Sequence, residues 1–529
     1  MLGLSAEGDH LPRVADYYHN KSIFITGASG FVGSVLLETL LRCCPGIKAI
    51  YILLRSKKNV TPEVRIQQIF SKKIFDIIKE ENQEQLNKVH VISGDITLPN
   101  LGMSEEDTSL LLEEVSMVFH CAANLSFTRP MKYMFLNVVL SLNCVIELCR
   151  RMKKFEALVF TSTAYTNCNH LNRVLKEDVY RLPFRAEKFL DAFKNEDDDI
   201  LDELVAQCKP DWPNNYTFCK CVAENLIMDT ASDLPIVIMR PSIIVGIEEL
   251  KSQLLKTLYF TVVTSVYFLI MLEITQSKGY QEDSSGISAL TVWVGKGFLK
   301  VLHADPNSKM DLVPVDIVSN ALVLSACYVG SQRCSSPVIF NCTSTEKFNI
   351  KISEYAEIFR QLFSKYPVPQ AFADGVKCEC FPNKYVFYIA RIYHHYLPAT
   401  AIDVMRSFFG KKPRVYSSYR FFDQVMNVLH FFMSHTFYFD KTNLERLNKL
   451  IHPEDRKNLE LDFEGSTLQD LAFNYPTSSP FYDWKIDTNT PSERQKIKYR
   501  RHLAIIFIKA VFLIILCAFI SWIFSKIIG

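Results

Sequence analysis

The stretch KSIFITGASGFVGSVLLETLLRC, residues 21–43, decides the fold. KSIFIT is a short β-branched and aromatic run, and a turn signal follows it at once. FVGSVLLETLLRC (31–43) then carries the apolar spacing of a helix. Between them Gly27, Gly30 and Gly33 fall at G-x-x-G-x-x-G spacing. Glycine lets a backbone come close to a pyrophosphate, whose charge then sits on the N-terminus of the following helix. A lone glycine pattern means little. Strand, glycine turn and helix together predict a dinucleotide site at the head of a βαβ unit.

Runs like the first one recur at AIYILL (49–54), VHVIS (89–93), SMVFHC (116–121), ALVFTS (157–162) and PIVIMR (235–240). Each is apolar almost throughout, as in strands covered on both faces of a parallel sheet. Helical patterns separate them, including MKYMFLNVVLSLNCVIELCRR (131–151). The alternation predicts an α/β fold with a doubly wound, Rossmann-like parallel sheet, and ligands at the carboxyl ends of its strands. After the second strand an NAD site would carry a carboxylate for the ribose 2′-hydroxyl. This chain has Arg55, Ser56, Lys57 and Lys58 instead, a cationic cluster that suits the 2′-phosphate of NADPH. Asp95, after the third strand, is placed to reach the adenine.

The remaining chemistry lies after the fifth strand, at TSTAYTN (161–167) and NNYTFCKCVAENLI (214–227). The latter reads as a helix beginning near Asn214 or Asn215. Tyr216 and Lys220 are spaced i,i+4 and share one helical face. A phenol with a pKa near 10 is a poor acid at neutral pH, and a neighbouring ammonium favours its ionised form. Tyr216 is therefore expected to protonate a developing alkoxide, and Lys220 to hold the cofactor ribose. A hydroxyl from Ser162 or Thr163 would orient the substrate carbonyl. Asn137, on the helix after the fourth strand, is a candidate to hold a proton-relay water.

The chain has 529 residues, 48% of them hydrophobic, which allows two or more domains with large cores. A net charge of +2 gives no global pull toward nucleic acid. Its 15 cysteines include no C-x-x-C pair, which argues for reduced thiols and against a metal site. The N-terminus lacks an apolar h-region, so no secretory signal is expected. Near the other end, Arg494, Lys496, Lys498, Arg500 and Arg501 precede the apolar run LAIIFIKAVFLIILCAFISWIF (503–524). That run suits a transmembrane anchor whose basic flank stays cytosolic, with Lys509 snorkelling to the interface.

Taken together, these segments resemble an extended short-chain dehydrogenase/reductase, and more narrowly the animal fatty acyl-CoA reductase family. TGASGFVGSVLLETLLR (26–42), IYILLRSKK (50–58), HCAANLSF (120–127), YTFCKCVAEN (216–225) and LPIVIMRPSIIVG (234–246) carry the likeness. VGKGFLKV (294–301), DLVPVDIVSNALV (311–323), IFNCTS (339–344), LPATAIDVMRSFFGKKP (397–413) and FYFDKTNLERL (437–447) extend it. The resemblance implies a reductase domain over 15–345, a helical C-terminal domain over 350–475 and a membrane anchor over 503–525. It also implies NADPH-dependent reduction of a long-chain acyl-CoA to a primary alcohol by two hydride transfers, with an aldehyde-level intermediate and loss of the CoA thiol. Tyr216, Lys220, and Thr163 or Ser162 match the family's catalytic positions. The implied cofactor contacts are Thr26, Gly27, Ser29, Gly30, Phe31, Val32, Gly33, Arg55, Asp95, Ile96 and Ala122, with Tyr216 and Lys220. The implied site of action is the cytosolic face of the endoplasmic reticulum or the peroxisome.

Two places depart from the family. LKSQLLKTLYFTVVTSVYFLIMLEITQSK (250–278) stands where a short proline-containing loop is expected, and reads as an insert in the substrate region. A true span there would split the catalytic residues across a bilayer; a lipid-facing insertion near the acyl entrance is the alternative. PTSSPFYDWKIDTNTPS (476–492) also differs from the family pattern. Competing functions are a sterol-type or nucleotide-sugar reductase, and a catalytically inactive membrane-tethered scaffold.

Overall fold

A computed structural model describes residues 10–57, 60–125, 129–208, 212–245, 294, 297–344, 349–365, 378–462 and 499. Lys58, the 250–278 segment, residues 476–492 and the apolar run 503–524 lie outside the described residues.

Seven parallel strands form the central sheet: β1 (Ser22–Thr26), β2 (Ala49–Leu54), β3 (Val89–Ser93), β4 (Val115–His120), β5 (Ala157–Thr161), β6 (Ile236–Pro241) and β7 (Val338–Cys342). Their order is β7-β6-β5-β4-β1-β2-β3. The first six match the apolar runs of the sequence to within a residue or two. β1, β2, β4 and β6 are buried throughout, which is why they carry no alternation. β3 is an edge strand and is less covered, with His90 and Ser93 exposed. β7 was not among the predicted strands. It pairs parallel with β6, Val338 opposite Val237 and Cys342 opposite Pro241, but the chain reaches it only after a long excursion.

The strand order reverses between β1 and β4, the switch point at which sheets of this kind bind their ligands. Helix Phe31–Cys43 leaves β1 there, with bounds matching the sequence expectation. Helix Asn215–Thr230 precedes β6. The expected helix at 131–151 forms as one rod with a π-helical turn, Leu136–Leu140, set into it. Among the described residues this is the one helix long and apolar enough to cross a membrane. Most of it is buried on the sheet as the crossover from β4 to β5, so it is a core helix.

The chain divides into two compact units that are not linear in sequence. The first holds the described residues up to 245, together with 310–350 and 436–462. Glu177 ties these pieces together: its carboxylate accepts from the backbone N–H of Asn341 (2.9 Å) and of Asn443 (2.6 Å). Burial pushes that carboxyl up to about 7. The second unit, over the described parts of 294–309 and 351–435, is largely helical. Its helices include Lys384–Arg391, Leu397–Phe408 and Val415–Met433, the first two joined by a π-turn at Ile392–Tyr396.

Candidate active site

Each glycine of the first loop is there for a stated reason. Gly27 has φ +80°, and a Cβ on it would lie 2.6 Å from the backbone N of Ala122. A Cβ on Gly33 would lie 2.2 Å from Gly27 O, so only glycine lets this helix close on the loop. Gly30 caps the helix in extended conformation, and its N–H donates to Gly27 O at 2.9 Å. Ser29, Gly30, Phe31 and Val32 are partly exposed over a helix N-terminus that no side chain caps. That cradle fits a pyrophosphate.

Three cations gather beside it. Arg55 pairs with Asp95 at 3.2 Å. Arg65 donates to Arg55 O at 2.7 Å and to Ser29 Oγ at 3.2 Å, and Lys72 donates to Ser29 O at 3.0 Å. Burial raises the Asp95 carboxyl, but bonds from Thr97 and the Arg55 charge outweigh it and hold the group below its usual value. Sequence reading missed Arg65 and Lys72, which come from helix Pro62–Phe70 and the turn after it. Ile96 is partly exposed beside Asp95.

At the switch point itself lies a third unpredicted residue, His120. Thr26 Oγ1 is 2.8 Å from its Nδ1, and Ser141 Oγ is 3.5 Å from its Nε2. Ala122 N–H donates to Thr26 Oγ1 (3.3 Å), and Ser141 Oγ donates to Asn137 O (2.8 Å). The arrangement that uses each proton once leaves Nε2 protonated and Nδ1 as acceptor. Burial, then the Lys220 charge, pulls the imidazole down to about 3, so it stays neutral. This network connects the ends of β1 and β4 to the π-turn that carries Asn137. The Asn137 side chain donates to Tyr133 O at 2.8 Å.

Helix Asn215–Thr230 starts at Asn214, whose Oδ1 accepts from Thr217 N at 2.9 Å. Tyr216 and Lys220 are 7% and 2% exposed. The Lys220 ammonium donates to Thr161 O, the last residue of β5, at 2.6 Å, and lies 4.5 Å from the Phe160 ring centroid and 5.9 Å from that of Tyr216. Burial drives both groups toward neutrality: it raises the Tyr216 phenol and pulls the lysine down to about 7 against the pull of Glu224. Desolvation thus moves the phenol in the direction opposite to the lowering expected from the neighbouring ammonium.

Ser162 and Thr163 part company here. Ser162 Oγ donates to Glu224 Oε1 at 2.6 Å. Glu224 in turn takes Arg240 bidentately, at 2.9 and 2.6 Å, and Arg240 also donates to Lys176 O and Asp178 O. Both charged side chains are 1% exposed. Thr163 Oγ1 instead accepts from Tyr165 N at 3.3 Å.

A family profile described as "Male sterility protein" matches residues 25–322, and a second with the same description matches 394–477. The fatty acyl-CoA reductase 1 of Xenopus laevis is 32% identical over 466 residues, covering 87% of this chain and 84% of that protein. The chain belongs to the fatty acyl-CoA reductase family. The fatty acyl-CoA reductase 2 of Bos taurus is 29% identical over 507 residues, covering 95% of this chain and 92% of its own length. Among solved structures, the terminal R domain of the myxalamid pathway superposes with TM-score 0.55 at 20% identity, covering 87% of this chain and 90% of that one. A reductase domain of a Mycobacterium tuberculosis nonribosomal peptide synthetase gives 0.53 at 14% identity, covering 88% and 94%. These two share the fold. Like its family, this reductase takes a nicotinamide cofactor, and the Gly27–Gly33 cradle is shaped for it.

Proposed function

We propose that this chain reduces a long-chain fatty acyl-CoA to the primary alcohol with NADPH, at a membrane to which residues 503–524 anchor it. The observation that carries the reading is the Lys220 ammonium bound to the end of β5, on the helical face it shares with Tyr216, in the unit that holds the glycine cradle. NADPH supplies the hydride for each of the two reductions. Tyr216 donates the phenolic proton to the oxygen that gains charge as the carbonyl is reduced. Thr163 orients that carbonyl, because its Oγ accepts from Tyr165 N and keeps a proton to give. Ser162 has spent its proton on Glu224 and serves to position the helix. Lys220 holds the ribose and resupplies Tyr216, with Asn137 holding the relay water. Arg65 and Lys72, both bonded to Ser29, and Arg55, bonded to Arg65, support the 2′-phosphate and hence NADPH over NADH.

The anchor's basic flank supports a catalytic unit on the cytosolic side of the endoplasmic reticulum or the peroxisome. Membranes containing the full chain should convert palmitoyl-CoA to hexadecanol with NADPH and far more slowly with NADH. Tyr216→Phe should lower that rate by about 10²–10⁴-fold. Absence of alcohol, with turnover of a steroid in its place, would refute the substrate assignment.

A further inference from the structure

In the helical unit, Phe408 and Phe409 stand 85% and 80% exposed at the end of helix Leu397–Phe408. The turn that carries them is fully bonded. Phe409 N donates to Arg406 O at 3.1 Å, Gly410 N to Ser407 O at 3.0 Å and Lys411 N to Arg406 O at 2.8 Å. Arg406 Nε reaches back to Lys412 O at 3.2 Å. Gly410, at φ +66°, makes the reversal. The buried Asp403 carboxylate then accepts from the backbone N–H of Arg414, Val415 and Tyr416 at 2.9, 3.0 and 2.8 Å, capping the next helix. A tip this well fastened keeps two phenyl rings in water, where they gain none of the burial that rewards phenylalanine elsewhere.

Two further features point to what meets the tip. Apolar exposure continues along the same helical segment: Tyr385, Ile389 and Tyr393 are 77%, 71% and 60% exposed, and Val404 48%. Val404, Phe408, Pro413 and Tyr416 line an open groove of about 650 Å³. The charge is of one sign. Between residues 384 and 420 the sole acidic residue is Asp403, buried and occupied by its cap, whereas Arg406, Lys411, Lys412, Arg414 and Arg420 fall on or next to the tip. Aromatic rings at an apex with cations behind them match the layering of a bilayer surface, acyl boundary first and phosphates outside it.

We propose that residues 404–416 form an interfacial anchor. Phe408 and Phe409 enter the headgroup–acyl boundary of an anionic bilayer, and Lys411, Lys412 and Arg414 meet lipid phosphates. The 404–416 segment is distinct in sequence from the 503–524 run, and its proposed role does not depend on the reaction assigned above. The test uses the full chain in vesicles of phosphatidylcholine with phosphatidylserine, and follows tryptic cleavage after Lys411 by mass spectrometry. Wild type should be cleaved at least tenfold more slowly than Phe408→Asp/Phe409→Asp in the same vesicles. Phe408→Leu/Phe409→Leu should keep the protection, and an unchanged circular dichroism spectrum would show that both variants fold. Removing phosphatidylserine should speed cleavage of the wild type. Equal cleavage of wild type and the aspartate variant would overturn the proposal, as would wild-type protection that persists in lipid-free amphipol or is indifferent to phosphatidylserine.

Discussion

Arg240 with Glu224, and Arg55 with Asp95, are the same chemical pair in two settings. The first is sealed under the catalytic helix, both partners 1% exposed and every contact made within the protein. The second stands at the rim of the sheet, just after β2 and β3, Arg55 at 52% and Asp95 at 22% exposed. Buried, the pair organises: it fixes helix Asn215–Thr230, β6 and the 176–178 loop against one another and takes the Ser162 hydroxyl out of play. At the rim, the exposed contact is worth little. One charge pair holds the elements around the candidate site together, and the other costs little to break.

The sharpest way to break that contrast is Arg240→Met. It leaves Glu224 charged and buried with only the Ser162 hydroxyl for a partner, and should cost about 3–5 kcal/mol in urea unfolding. The double variant with Glu224→Gln should recover part of the loss. A cost below about 1 kcal/mol would make the two pairs equivalent.

Lys220 is a third buried charge, and it tests whether burial without a carboxylate at hydrogen-bond distance is a burden. Its pKa, about 7 in the fold, is depressed from 10.5. Between those values the unfolded chain binds more protons, so this group makes stability rise with pH. Lys220→Met abolishes the dependence. Its stability relative to wild type should be highest below pH 7 and fall by about 1.4 kcal/mol per pH unit above it, a trend that thermal melts from pH 6 to 9 would follow.

Gly33→Ala drives a Cβ into fixed backbone at Gly27 O. It should cost about 1–3 kcal/mol and weaken NADPH binding in a fluorescence titration. The smallest stability change belongs to the rim: Arg55→Ala should alter unfolding by less than about 1 kcal/mol while narrowing the preference for NADPH over NADH. A large loss of stability there would erase the contrast from the other side.

What the sequence disclosed follows from how local each signal is. The glycine loop, six of the seven strands and the Tyr216–Lys220 spacing depend on residues a few positions apart, and these were legible. β7 was not, because its register is set by β6, roughly a hundred residues earlier. Ser162 and Thr163 are neighbours of like chemistry at a strand end. Only the buried Glu224 distinguishes them. Arg65 and Lys72 sit where an amphipathic helix would carry solvated cations in any case, and nothing local says that they fold back on Ser29. His120 reads as a core histidine on an apolar strand. Its signal is positional, the last residue of β4 facing the last of β1. The rise of the buried Tyr216 phenol was not legible, because spacing reports proximity and not solvation.

Glu177 has a consequence for how the protein is made. Its two backbone partners, Asn341 and Asn443, lie 164 and 266 residues further along the chain. A ribosome that has released β1 to β6 has therefore delivered the glycine cradle and Tyr216, but neither the strand that covers β6 nor helix Thr442–Leu450, whose Asn443 meets this carboxylate. Until residues 338–342 emerge, β6 waits as an unpaired sheet edge, and Glu177 then waits through the synthesis of 351–435 for its second partner. Nascent chains stalled before residue 338 should accordingly bind chaperones and be cut readily near β6, and chains stalled well beyond residue 450, with both Glu177 partners delivered, should resist.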